Sequence, residues 1–152
     1  MNRKGVTLLE LVIVLVIIAI GATLMVPNIG GWIHHYRLRS AARDVVSIMR
    51  AAQMKAVSNN FRYGVAFDTG TNQFQIYRDS GGLQPDGASN DLPTGVTFNS
   101  VSFPVDGTLG KRFVRFLPDS TASDDGTIVV ANIKGVQRTV QVSKTTGRIK
   151  LN

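Results

Sequence analysis

The chain has 152 residues, of which 43% are hydrophobic, enough for one small domain and an appendage. It contains no cysteine, which excludes a disulfide framework and a thiolate zinc site. Its formal charge is +7, and without Arg3 and Lys4 at the amino terminus it is +5, ordinary for a soluble surface or for one that meets nucleic acid, anionic lipid or an acidic partner.

The first element in chain order is apolar. From Val6 to Val26 only Thr7, Glu10, Gly21 and Thr23 interrupt the run. As a helix these residues span about 32 Å, enough to cross a hydrocarbon core. A domain of this size cannot enclose such a segment on every side. A secretory signal peptide has a shorter apolar region and a small-residue cleavage site, which Gly21-Ala22 imitates only weakly. The arrangement fits a retained helix behind a short basic leader, MNRKG. Arg3 and Lys4 favour a cytoplasmic amino terminus, while Arg37, Arg39 and Arg43 beyond the other end oppose it, so charge counting leaves the orientation open.

Glu10 is the anomaly in this run. A charge in lipid costs on the order of 2.5–3.5 kcal/mol at a helix centre and is usually paired or functional. Cleavage after Gly5 would create an ammonium at Val6, one helical turn from Glu10. Glu10 can pair with that amine in its own chain or with the amine of a neighbouring subunit, and only the second gives a rule for stacking subunits in register.

The stretch KGVTLLELVIVLVIIAIGATLMVP resembles the class III signal of type IV pilins and type II secretion pseudopilins. The resemblance implies cleavage between Gly5 and Val6 by the prepilin peptidase on the cytoplasmic side, N-methylation of Val6, an assembly role for Glu10 and a helix bend at Pro27. Val6 departs from the phenylalanine usual at the first mature position. The implied partners are other pilins or pseudopilins, the peptidase, the inner-membrane assembly platform and the lipid bilayer. The implied location is the inner membrane of a bacterium, single-pass, with the head in the periplasm.

Pro27 predicts a kink or break by itself, because it lacks an amide and clashes with the preceding turn. Trp32, His34, His35 and Tyr36 follow with the amphipathic rings of a membrane interface. His34 and His35 point in different directions on a helix and have no third ligand, so no metal is expected there. Leu38, Ala41, Ala42, Val45, Ile48, Met49, Ala52 and Ala56 then recur at helical spacing, predicting an amphipathic helix from Trp32 to Ser58 that ends at Asn59-Asn60.

After Asn60 the period becomes two. Strands are predicted over 61–68, 73–78, 96–98, 113–117, 127–133, 139–143 and 148–151, with turns at Asp68-Thr69-Gly70, Lys134-Gly135 and Thr145-Thr146-Gly147. They read as an antiparallel meander, and residues 80–93, rich in Gly, Asp, Asn and Pro, read as an exposed loop. The fold class is therefore α+β: a long amino-terminal helix packed on an antiparallel β-sheet head. The divisions are a leader over 1–5, a transmembrane helix and filament core over 6–26, an amphipathic helix over 27–58 and a β-rich head over 59–152.

The segments SIMRAAQMKAVSNNFRYGVAF, VRFLPDSTASDDGTIVV and RTVQVSKTTGRIKL resemble the GspH/FimT class of minor pilins and pseudopilins. The resemblance implies a minor subunit at or near the tip of a type II secretion or type IV pilus filament, with exported proteins among its contacts. Some members of that class bind DNA through a Gly-Arg-centred motif, which points to Arg138, Lys144, Arg148 and Lys150. The plainer alternative is that Gly147 makes a turn and Arg148 tethers the last strand. A membrane-anchored binding domain that never assembles is a further alternative. No cofactor and no catalysis are expected, because no nucleophile, phosphate-loop or dinucleotide pattern is present. Asp119, Asp124 and Asp125 lack the spacing of a calcium loop, and Asp79, Asp86 and Asp91 read as solvated acids in the same way.

Overall fold

The structure, a computed structural model, describes residues 7–25 and 29–152. It divides into two compact units, residues 1–33 and 34–152.

The first unit holds helix α1, Leu8–Met25. Its described side chains from Leu8 to Thr23 are all exposed, and Ile17 at 63% is typical. Apart from Glu10 and Thr23 these exposed side chains are apolar on every side, so the helix has no single stripe to bury. Among the described residues no helix is long and apolar enough to cross a membrane. The eighteen residues of α1 rise about 27 Å, just short of a hydrocarbon core near 30 Å. Val6 and Val26, which the sequence reading adds at its ends, lie outside the described residues, as does the bend expected at Pro27.

Helix α2 runs from Ile29 to Asn59. It stops where expected, because Asn60 adopts φ 54°, the left-handed conformation that asparagine tolerates after a helix. In the second unit its buried face is Leu38, Ala41, Ala42, Val45, Val46, Met49, Ala52 and Ala56, the i, i+3, i+4 stripe of an amphipathic helix. The small alanines let the helix lie close to the strands.

Among the described residues the strands are β1 (Arg62–Asp68), β2 (Gln73–Asp79), β3 (Leu83–Pro85), β4 (Asn90–Asp91), β5 (Val96–Val101), β6 (Arg112–Phe116), β7 (Gly126–Asn132), β8 (Gln137–Val142) and β9 (Ile149–Leu151). They form two antiparallel sheets, not one meander. The first has the order β3-β2-β1-β6, with β4 also on β2; the second has the order β5-β7-β8-β9. The separation follows from two pairings between strands distant in sequence, β1 with β6 and β5 with β7. The segment expected to be a loop over 80–93 contributes β3 and β4, both on β2.

One core serves both sheets. Val65, Phe67, Phe74 and Ile76 from the first, and Phe98, Ile128, Val130, Val140 and Val142 from the second, cluster with the α2 stripe. Phe67 packs edge-on to Phe98 at 5.8 Å between ring centres, tying the two sheets through aromatic contact. The opposite face of the first sheet has its own small cluster of Ala66, Tyr77 and Phe113. Gly64 sits beneath the Phe113 ring, where any side chain would overlap it.

The one buried polar residue among those described is Asn132, 6% exposed at the end of β7. Its Oδ1 accepts from the amides of Lys134 and Val136, both at 3.0 Å, and its Nδ2 donates to the His34 carbonyl at 3.4 Å. It therefore shapes the β7–β8 turn and fastens it to α2. Asn132→Ala would leave two amides without their acceptor, a loss of about 2–3 kcal/mol. The expected result is a thermal midpoint lower by roughly 8–15 °C in a calorimetric scan.

Candidate functional site

The amino-terminal site is built on the start of α1. Thr7 stands just before the helix, and its Oγ1 accepts from the Glu10 amide at 3.3 Å. Thr7-Leu8-Leu9-Glu10 has the spacing of a capping box, a signal present in the sequence that the membrane reading of the run passed over. The cap leaves Glu10 exposed in the first turn, where the helix dipole favours a carboxylate by about 0.3–1 kcal/mol. That gain is smaller than the cost of holding the charge in lipid, so the local helix does not account for Glu10. Gly5 and Val6 lie outside the described residues.

His34 and His35 lie on α2 where the second unit begins. Nδ1 of His34 is buried with no hydrogen-bond partner, and His35 is exposed. Among the described residues no group of three or more His, Asp and Glu is placed to hold a metal ion.

The four basic residues near the carboxyl end are not gathered on one face. Arg138 is in β8 with the parity of Val140 and Val142, whose side chains are buried against α2, but it lies past the edge of the core and is exposed. Lys150 pairs with Gln141 on the outer parity. Arg148 shares that parity just before β9, and Ile149 between them is buried. Lys144 belongs to a turn, where its amide donates to Asp125 Oδ1 at 2.8 Å.

The turn carrying Arg148 is held by a contact invisible to local pattern. Gln53, on α2, donates through Nε2 to the Ser120 carbonyl at 2.7 Å and to the Gly147 carbonyl at 3.1 Å. Gly147 has φ 57°, and a Cβ there would overlap the Ser120 carbonyl oxygen. Glycine is thus required both by backbone conformation and by space.

Beside this turn is an open cleft of about 460 Å³, with Leu117 and Ala122 as apolar walls and Arg62, Arg115 and Lys144 at its border. Arg115 is committed elsewhere. It pairs with Asp106 and, at 3.3 Å, with Asp79, and lies over the Phe113 ring at 4.7 Å.

The acids read as solvated are mostly structural. Asp86 pairs with Lys55 at 2.7 Å, Asp91 accepts from Gln73 at 2.8 Å, and Asp119 closes its own turn through Thr121. Burial pushes the Asp106 carboxyl up, but the Thr108 amide, the Arg115 guanidinium and the Leu109 amide together outweigh it and hold the group below its ordinary value of 3.8. Asp68 is lowered chiefly by the Thr71 amide, against a burial effect, with help from Lys111 and the Gly70 amide. A carboxyl lowered in the folded state stabilises fully above its unfolded value and loses that contribution as pH falls through the folded one. Thermal stability should therefore be flat from pH 7 to about 5 and fall below about pH 4. Asp106→Asn should flatten part of that acid slope.

Comparison with known proteins places these features. The family model of type II transport protein GspH matches residues 41–146, more than half the chain, and the prokaryotic N-terminal methylation motif matches residues 1–26. A stretch of 59 residues is 38% identical to type II secretion system core protein G of Pectobacterium carotovorum, covering 39% of this chain and 38% of that protein's length. Among solved structures, the minor pseudopilin EpsH from the type II secretion system of Vibrio cholerae shares the fold with a TM-score of 0.64 at 13% identity, over 76% of this chain and 96% of that one. GspH of E. coli gives 0.61 at 18% identity, over 77% and 88%. The type IV minor pilin FimU of Pseudomonas aeruginosa gives 0.59 at 19% identity, over 78% and 90%.

Proposed function

The chain belongs to the family of type II transport protein GspH, and from that premise we propose that it is a minor pseudopilin, a subunit built into a secretion filament through α1. The observation that carries this reading is an apolar helix, exposed from Leu8 to Thr23, with one carboxylate, Glu10, in its first turn, inside a matched methylation motif. Before assembly, lipid covers that apolar surface and the helix anchors the protein in the inner membrane with its head in the periplasm. On assembly the same surface packs against the helices of other subunits. Packing among such helices rests on close contact and polar pairing, since lipid is as apolar as leucine.

The chemistry assigned to the amino terminus follows. The prepilin peptidase cleaves between Gly5 and Val6 and the new amine is methylated. Glu10 then pairs with the terminal amine of a neighbouring subunit, which offsets the burial of both charges and selects one register. The bend expected at Pro27, outside the described residues, belongs to the same proposal. The role is structural, with the head facing other subunits, the assembly platform and exported proteins near the filament tip. Intact-mass measurement of the protein extracted from its membrane tests this reading. The expected mass lacks residues 1–5 and carries one added methyl group on Val6. A chain that still begins at Met1 refutes it.

The second reading is a minor subunit that initiates a type IV pilus, favoured by a head fold shared with FimU. Loss of protein secretion in a deletion strain with pili intact selects the secretion role. Loss of pili with secretion intact selects the other. Binding of duplex DNA by the protein, weakened by Arg148→Ala and by salt, would place the pilus in DNA uptake.

A further inference from the structure

Three segments of the second unit meet at one end of the head. The β7–β8 turn is fastened to the start of its helix by the Asn132–His34 hydrogen bond. The Ile133 amide donates to the Gly95 carbonyl at 3.2 Å. The Arg37 guanidinium donates to the Thr94 carbonyl at 3.1 Å. Residues 34–39, 93–96 and 133–138 are thereby held together, although about a hundred positions separate the first from the last.

This end has an unusual surface. Ile133, at the tip of the turn, is 70% exposed, and Tyr36 is 62% exposed. Arg37, Arg39, Lys134 and Arg138 supply four positive charges, and none of the three segments contains an Asp or Glu. The nearest acids in sequence, Asp44 and Asp91, line a separate groove with Asp86. An aliphatic tip, an aromatic ring with a polar end and a set of long cations without carboxylates match an anionic lipid surface. The apolar groups enter the headgroup layer while the cations remain at the phosphates. Only residues 26–33 separate α1 from this end of the head in the chain.

We propose that the Ile133–Lys134 turn, with Arg37, Arg39 and Arg138, is a second membrane contact that docks the head on anionic phospholipid while the subunit awaits assembly. The contact rests on the anchoring role proposed for α1. It gives Arg138 a task, and it gives the arginines that follow the apolar helix a reason to lie there. Leaving the bilayer then requires breaking an electrostatic contact as well as withdrawing a helix, so the docked head holds the idle subunit at the membrane.

The test uses the full chain, which has no cysteine of its own. Ile133→Cys and, as a control, Ser58→Cys each carry an environment-sensitive fluorophore after reconstitution into vesicles. Ser58 is exposed on the same helix, roughly 36 Å from His34. The vesicles are phosphatidylcholine alone or a mixture with phosphatidylglycerol. The expected result is a blue-shifted emission for the label at 133 in the anionic vesicles only, reversed by high salt, with the label at 58 unchanged. Replacing Lys134 and Arg138 together by Gln should weaken the docked state about thirtyfold. Emission at 133 that matches the control in both vesicles, while the protein resists an alkaline wash, overturns the contact and leaves the anchor standing. A shift that appears only when other filament subunits are added also overturns it, in favour of a protein neighbour. Protein that washes off the vesicles overturns the anchor, and this contact with it.

Discussion

Glu10→Gln is expected to abolish incorporation of the subunit into its filament while leaving the helix and the head intact. Glutamine keeps the size of the side chain and suits the third position of a capping box as glutamate does. The Thr7 cap is made by the backbone amide of residue 10, so it survives the change. What is lost is the charge. In a buried setting, removing one partner of an ion pair costs about 3–5 kcal/mol through the charge left behind. The stranded group would be the terminal amine of a neighbour. Incorporation, read as the share of protein recovered in sheared filaments, should fall by two orders of magnitude or more. Thermal unfolding of the head should be unchanged. If the amine partner lay in the same chain, the cost would be borne equally before and after assembly, and incorporation would change little.

The second large effect is expected at Gly147. Gly147→Ala must place a Cβ against the Ser120 carbonyl and force alanine into the left-handed region. The conformational cost is about 1–2 kcal/mol. Displacing Ser120 also threatens both hydrogen bonds of Gln53, each worth about 0.5–1.5 kcal/mol. Together these give a loss of about 3 kcal/mol, measurable in urea, against a total stability of roughly two to three times that for a domain of this size. Gln53→Ala should lose only the hydrogen-bond share, near 2 kcal/mol. Arg148→Ala, at an exposed side chain beside the same turn, should change stability by less than about 0.5 kcal/mol. This ordering separates the glycine's role in the turn from any ligand role of the arginine.

The contrast between Gly147 and Gln53 shows what was legible in the sequence. The glycine was readable as a turn residue because its chemistry is local. Gln53 was not, because its partners lie 67 and 94 positions away and glutamine on a helix otherwise means only a polar face. The same division runs through the fold. The α2 stripe was legible from its period, and Asn60 marked its end. The separation into two sheets was not, since it depends on β1 meeting β6 and β5 meeting β7, pairings that carry no signature in either strand alone. The strands β3 and β4 were hidden for another reason. They have three and two residues, too few for alternation to register, and they sit among turn-forming residues. At the amino terminus, position and type were enough to single out Glu10. Of the basic residues near the carboxyl end, Arg148 and Lys150 share an outer parity. Placing Arg138 with the helix start required the sheet.

The central claim is that α1 passes from lipid to the helices of other subunits under the direction of Glu10. Because the chain has no cysteine, Ile17→Cys puts a single thiol on the exposed surface of α1. Oxidative cross-linking in cells whose major subunit carries a matching cysteine in its own amino-terminal helix measures that passage directly. The account predicts a heterodimeric product that forms with Glu10 in place and disappears in Glu10→Gln. A product of equal yield with and without the carboxylate, or none in cells that are assembling filaments, would contradict it.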